Sequence, residues 1–215
     1  MKFARLLLRF VLGFLFVGHG TQKLFGWFGG HGLEPTAQMF EGLGMRPGRR
    51  NAIAAGVAEA GGGAGLALGF ATPLAAGAVT SVMLTAINRV HIKNGPWITN
   101  GGYEYNVVLI AAALALTEVG PGELSLDHTL GQERSGLGWT LAAAAIGVAG
   151  AIGAHQLAKA QPEPPAPPMA TDSADAATAP ASADAATAAA GADAATAPAG
   201  ADASAAQSQE AGATQ

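Results

Sequence analysis

Histidine, lysine and tryptophan cluster at two places in this chain. The first is residues 18–32, GHGTQKLFGWFGGHG, which brings His19, Lys23 and Trp27 together among glycines. The second is residues 91–106, HIKNGPWITNGGYEYN, with His91, Trp97 and Glu104. A ring bearing two carbonyl oxygens needs N–H donors at those oxygens and a flat apolar wall. Histidine, lysine and tryptophan supply these. The same residues also suit a plainer task, because lysine snorkels toward headgroups and tryptophan favours the membrane interface. Both readings stay open from sequence alone.

Other chemistries find less support. Cysteine is absent, which removes thiolate nucleophiles, disulfides and iron–sulfur ligation from this polypeptide. His19, His31, His91, His128 and His155 show no spacing that would set two ligands on one helix face, so no metal site is expected. No phosphate-cradling G-x-x-x-x-G-K-[ST] or nucleophile-elbow G-x-S-x-G occurs, and no basic block points to nucleic acid. Any redox role would therefore use a bound cofactor or another subunit.

The elements that position these residues read as membrane helices. Half of the 215 residues are apolar and only 12% are charged, against about 25% charged in a soluble domain. Five segments approach the ~20 apolar residues that a bilayer requires. They are residues 3–20, 51–70, 74–92, 105–119 and 137–154. No segment alternates apolar and polar residues as a barrel wall does. Residues 3–20 also resemble a signal peptide, but no A-x-A-like cleavage site follows, so retention as a helix is expected. Gly61, Gly65 and Gly69 form a four-residue ladder suited to close helix packing.

With five spans, residues 23–50, residues 91–104 and the C-terminal tail share one side of the bilayer. Both histidine-bearing loops then meet at one mouth of the bundle. Lys23, Arg46, Arg49, Arg50, Arg89, Lys93 and Lys159 lie on that side, against Lys2, Arg5, Arg9 and Arg134 on the other, which favours a cytoplasmic mouth, whereas a basic N-terminus before the first span argues the reverse. Orientation is left open.

Several polar residues fall within the spans. Glu59 lies near the middle of the second, where an ionisable group costs roughly 2.5–3.5 kcal/mol to insert and marks a candidate site. An ionised carboxylate there must pair or stay protonated. Arg9 lies at a similar depth in the first span and is the expected partner, with Arg89 in reserve. Ser81, Thr85, Asn88 and Arg89 form a stripe at helical spacing that either lines a pocket or faces neighbouring helices.

From Lys159 the composition changes. A proline-rich exit, AQPEPPAPP, leads to nine-residue repeats: SADAATAPA, SADAATAAA, GADAATAPA and a degenerate GADASAAQS. With no large apolar residue after Met169, this segment has nothing to pack and reads as a disordered spacer. The chain thus divides into a membrane domain, 1–158, and a tail, 159–215.

Several blocks together resemble the DoxX family of small bacterial membrane proteins. They are LLLRFVLGFLFVGHGTQKLFGWFGG, GLEPTAQMFEGLGMRP, AEAGGGAGLALGFATPLAA and HIKNGPWITNGGYEYNVVLIAAALALTEVGPGELSLD. They stand in the family's order over roughly residues 3–127. The pattern carries over to Arg9, Gly20, Lys23, Glu59, His91, Glu104 and the Gly120–Asp127 stretch. The resemblance implies an all-α integral membrane bundle of four family-type helices, to which this chain adds a fifth and the tail. It also implies the bacterial inner membrane and a link to respiratory redox chemistry, including the membrane part of thiosulfate:quinone oxidoreductase.

The expectation is an accessory subunit in quinone-linked chemistry, not a stand-alone enzyme. Its partners would be the bilayer and a redox enzyme subunit or a second copy of the chain. A non-catalytic scaffold for a partner enzyme is the other reading. The expected ligand-binding mouth comprises His19, Lys23, Trp27, Asn88, Arg89, His91, Trp97 and Glu104, with a quinone as the ligand.

Overall fold

The computed structural model describes residues 2–160 and is all-helical over them. The expected tail repeats lie outside the described residues. Seven α-helices follow in order: α1 (Lys2–Phe25), α2 (Leu33–Gly42), α3 (Gly48–Leu68), α4 (Thr72–Ala86), α5 (Glu104–Val119), α6 (Leu126–Thr129) and α7 (Leu137–Lys159). A π-helical turn, Ile87–His91, and a 3-10 turn, Ile92–Asn94, continue α4. Each of the five apolar segments is a helix. The short α2 and α6 are additions that apolar length does not announce.

By length and composition, α1, α7 and α4 extended to Asn94 are long and apolar enough to cross a membrane. This is fewer than the five expected, and the reasons differ. Helix α5 has 16 residues, or about 24 Å of rise against a hydrocarbon core of about 30 Å. Helix α3 has the length, but Arg49, Arg50, Asn51, Glu59 and its many glycines dilute its hydropathy.

The bundle is built on close backbone approach. Helices α1 and α3 run antiparallel, with Gly13 against Gly63 and Gly20 against Gly56. A Cβ at Gly13 would lie 2.5 Å from the Gly63 carbonyl oxygen, and one at Gly20 2.5 Å from that of Gly56. In lipid, where apolar surface is no more attracted to helix than to acyl chain, this contact is a main source of association. The glycines that serve it are seven apart. The expected ladder is divided instead: Gly61 meets nothing, Gly65 faces Ala75 of α4, and Gly69 ends α3 in the left-handed region. Helix α7 lies parallel to α4, with Gly147 against Thr80 and Gly150 against Ser81. Leu12, Phe16, Leu66, Val79, Met83, Leu109 and Leu116 fill the centre.

A polar knot closes the end of the bundle remote from α2. Arg9 is buried and donates to four backbone carbonyls: Leu66 (3.1 Å), Ala67 (2.7 Å), Pro121 (2.9 Å) and Leu124 (2.8 Å). Leu66 and Ala67 are in the last turn of α3, whose carbonyls lack intrahelical partners and carry the negative end of the helix dipole. Asp127, also buried, accepts from the Ala71 and Thr72 amides at 2.8 and 3.0 Å and from the Thr72 hydroxyl at 2.8 Å. It thereby caps the start of α4, where an anion is favoured. The stretch Gly120–Asp127 therefore ties α1, α3 and α4 together.

Candidate functional site

Helix α2 folds over the opposite end. Leu33, Thr36, Ala37 and Phe40 recur at three- and four-residue steps, and Ala37 and Phe40 pack with Met45, Ala52 and Ala158. Glu34 meets Arg49 at 3.1 Å, and Glu41 accepts from the Gly48 amide at 2.5 Å, fixing α2 to the start of α3. Beneath this cover lies a cavity of about 250 Å³ between α2, α3, α4 and α7.

Small side chains make the room. Ala54, Ala55 and Ala58 of α3 and Gly150 and Ala154 of α7 line it, while Met39, Met45, Met83, Phe40 and Leu43 supply a soft apolar wall. Methionine adapts its shape to irregular contents. The polar contributors are Lys23, Asn51, Glu59, Ser81, Thr85 and Arg89. Ser81, Thr85 and Arg89 stand at four-residue steps, so the stripe read from sequence does face a pocket, without Asn88, which is exposed.

Glu59 and Lys23 form a buried ion pair in the cavity wall. Their side chains are 3% and 15% exposed, and Nζ lies 3.0 Å from Oε1 and 2.8 Å from Oε2. The contact with Oε2 is ionic, and that oxygen has no hydrogen bond among the described residues. The expected Arg9–Glu59 pair is thus corrected. Arg9 is taken by the carbonyls at the C-terminal end of α3, and Lys23 reaches Glu59 from the other end of α1. Matching depth along two helices did not reveal which end of α3 each cation faces.

Only Lys23 and Arg89 of the eight mouth residues line the cavity. His19 turns to Gln22, with Nδ1 3.1 Å from Oε1. Trp27 is exposed on a 3-10 turn and packs with Phe25 and Phe28 at ring-centroid distances of 5.3 and 6.5 Å. The π-helical turn carries His91 inward, where it is 2% exposed and its Nδ1 lies 2.7 Å from the Gly101 carbonyl oxygen. Trp97 is exposed, and Glu104 accepts from the Ile98 amide at 2.6 Å. The loop from His91 to Glu104 is therefore held by its own contacts. The methionines and the cover helix α2 went unread because a short amphipathic segment between spans carries no apolar-length signal. Its spacing at residues 33, 36, 37 and 40 was the available clue.

The DoxX family pattern matches residues 4–92. The match takes in α1 to the π-helical turn after α4, and hence Lys23, Glu59 and Arg89; the resembling blocks beyond residue 92 lie outside it. No curated protein and no solved structure matches the chain. Residues 4–92 form a DoxX family domain, in a multi-pass membrane protein.

Proposed function

We propose that the chain is an accessory membrane subunit of quinone-linked redox chemistry and that the cavity under α2 holds the quinone ring. The observation that carries this reading is an apolar cavity with a buried ion pair in its wall, one carboxylate oxygen of which, Glu59 Oε2, has no hydrogen bond. At about 250 Å³ it is slightly smaller than the ~300–1,000 Å³ of pockets for drug-sized ligands. That suits a ring head whose isoprenoid tail stays in the lipid.

The residues present fit such a group. Lys23 and Arg89 can donate to carbonyl oxygens, and Glu59 Oε2 can accept from a quinol hydroxyl. Met83, Val82 and Phe40 provide apolar contact, the last from α2. A bound quinone would supply the two-electron, two-proton acceptor chemistry that the side chains lack. Electrons would come from a partner subunit, in keeping with the absence of cysteine.

The test is the quinone content of the full chain purified in mild detergent. Near-stoichiometric quinone is expected in the natural protein, with loss in Ala58→Leu, which fills the cavity from α3. Quinone no higher than lipid carry-over, together with a co-purifying dehydrogenase, would favour the scaffold reading instead.

A further inference from the structure

The cavity is not balanced in charge. Lys23 is matched by Glu59, whereas Arg89 has no carboxylate partner among the described residues. Its guanidinium contacts are the His155 ring, with Nη2 2.7 Å from Nδ1, and a long approach of Nη1 to the Leu43 carbonyl at 3.4 Å. For Nη2 to donate there, His155 Nδ1 must be the unprotonated nitrogen. A guanidinium has five N–H donors, so most remain available.

Two of the other polar side chains of the wall are committed elsewhere. Asn51 donates to the Met45 and Pro47 carbonyls, and Thr85 donates to the Ser81 carbonyl. A half-buried, unmatched cation on an apolar cavity favours a ligand that brings the missing negative charge.

We infer that the Arg89 end of the cavity is an oxyanion site, which selects ligands carrying an ionised oxygen on an apolar body over their neutral counterparts. This rests on the cavity being a ligand site and sharpens the quinone reading: an ionised hydroxyquinone is preferred to a neutral quinone. Amphiphilic carboxylates share the same chemistry and are the other source of such an oxygen.

The experiment is equilibrium dialysis of the full chain in nanodiscs, with protein-free nanodiscs as the reference. The probes are 2-hydroxy-1,4-naphthoquinone, a vinylogous acid ionised at neutral pH, and its neutral 2-methoxy ether, then laurate and dodecanol. The natural chain should bind the hydroxyquinone about tenfold or more tightly than the ether, as a charge-assisted hydrogen bond requires. Arg89→Gln should abolish that preference by weakening the hydroxyquinone about tenfold more than the ether, and Arg89→Lys should retain part of it.

Equal binding of hydroxyquinone and ether by the natural chain overturns the inference and leaves the quinone reading standing, whether or not Arg89→Gln folds. Binding of laurate about tenfold over dodecanol, with neither naphthoquinone bound, upholds the oxyanion site and defeats the quinone reading. No binding of any probe overturns both.

Discussion

Removing either member of the Lys23–Glu59 pair should destabilise the bundle far more than removing both. The pair sits at 2.8 Å with side chains 15% and 3% exposed. At an effective dielectric of about 20, unit charges at that distance attract by about 6 kcal/mol. Desolvation of each ion offsets several kcal/mol of this, so the intact pair contributes little net stability. A lone survivor keeps the desolvation cost and loses the attraction, which typically amounts to ~3–5 kcal/mol. Lys23→Met and Glu59→Gln should each lose stability in that range, and the double variant should recover about 2 kcal/mol or more relative to additivity. Unfolding by sodium dodecyl sulfate in mixed micelles, followed by far-ultraviolet circular dichroism, reads the cycle. Pairing Glu59→Gln with Arg9→Gln is the control and should be additive within ~0.5 kcal/mol. Additivity for Lys23 and coupling for Arg9 would refute the pairing seen here.

Three further outcomes are expected. Gly63→Leu places its side chain within 2.6 Å of the Gly13 carbonyl oxygen and should cost ~1–3 kcal/mol or more; Gly61→Leu, which meets nothing within 4 Å, should stay within ~0.5 kcal/mol in the same assay. Asp127→Ala strips three hydrogen bonds from the start of α4 and should cost about 2 kcal/mol, with no change in quinone content. If α3 crosses the bilayer despite its low hydropathy, reporters fused after Gly44 and Gly95 will lie on one side and a reporter after Phe70 on the other; Phe70 on the Gly44 side would remove α3 from the spans.

The long helices were legible because burial in lipid leaves a one-dimensional record: about twenty apolar residues between breaks. The stripe Ser81, Thr85 and Arg89 was legible for the same kind of reason, since four-residue steps on one helix share a face. Pairing between helices leaves no such record. The depth of Arg9 matched that of Glu59, but four carbonyls around Arg9 formed a better anion-like cradle than one carboxylate. The glycine ladder at 61, 65 and 69 was visible, yet the contact falls on Gly56 and Gly63, because the partner helix presents Gly13 and Gly20. Trp97 and Glu104 had suitable chemistry for a ligand, but the short turns of their loop direct them to solvent and to its own backbone.

Photolabelling locates the ligand most directly. The full chain in native membranes would be irradiated with an azidoquinone, digested, and its labelled peptides mapped by mass spectrometry, with and without excess unlabelled quinone. Label that is competed away and confined to Lys23, residues 39–59, residues 81–90, Gly150 and Ala154, which wall the cavity, is the expected result. Competable label on the outward-facing residues Leu141, Val148 and Ile152 of α7, or label indifferent to competition, would contradict a quinone site under α2.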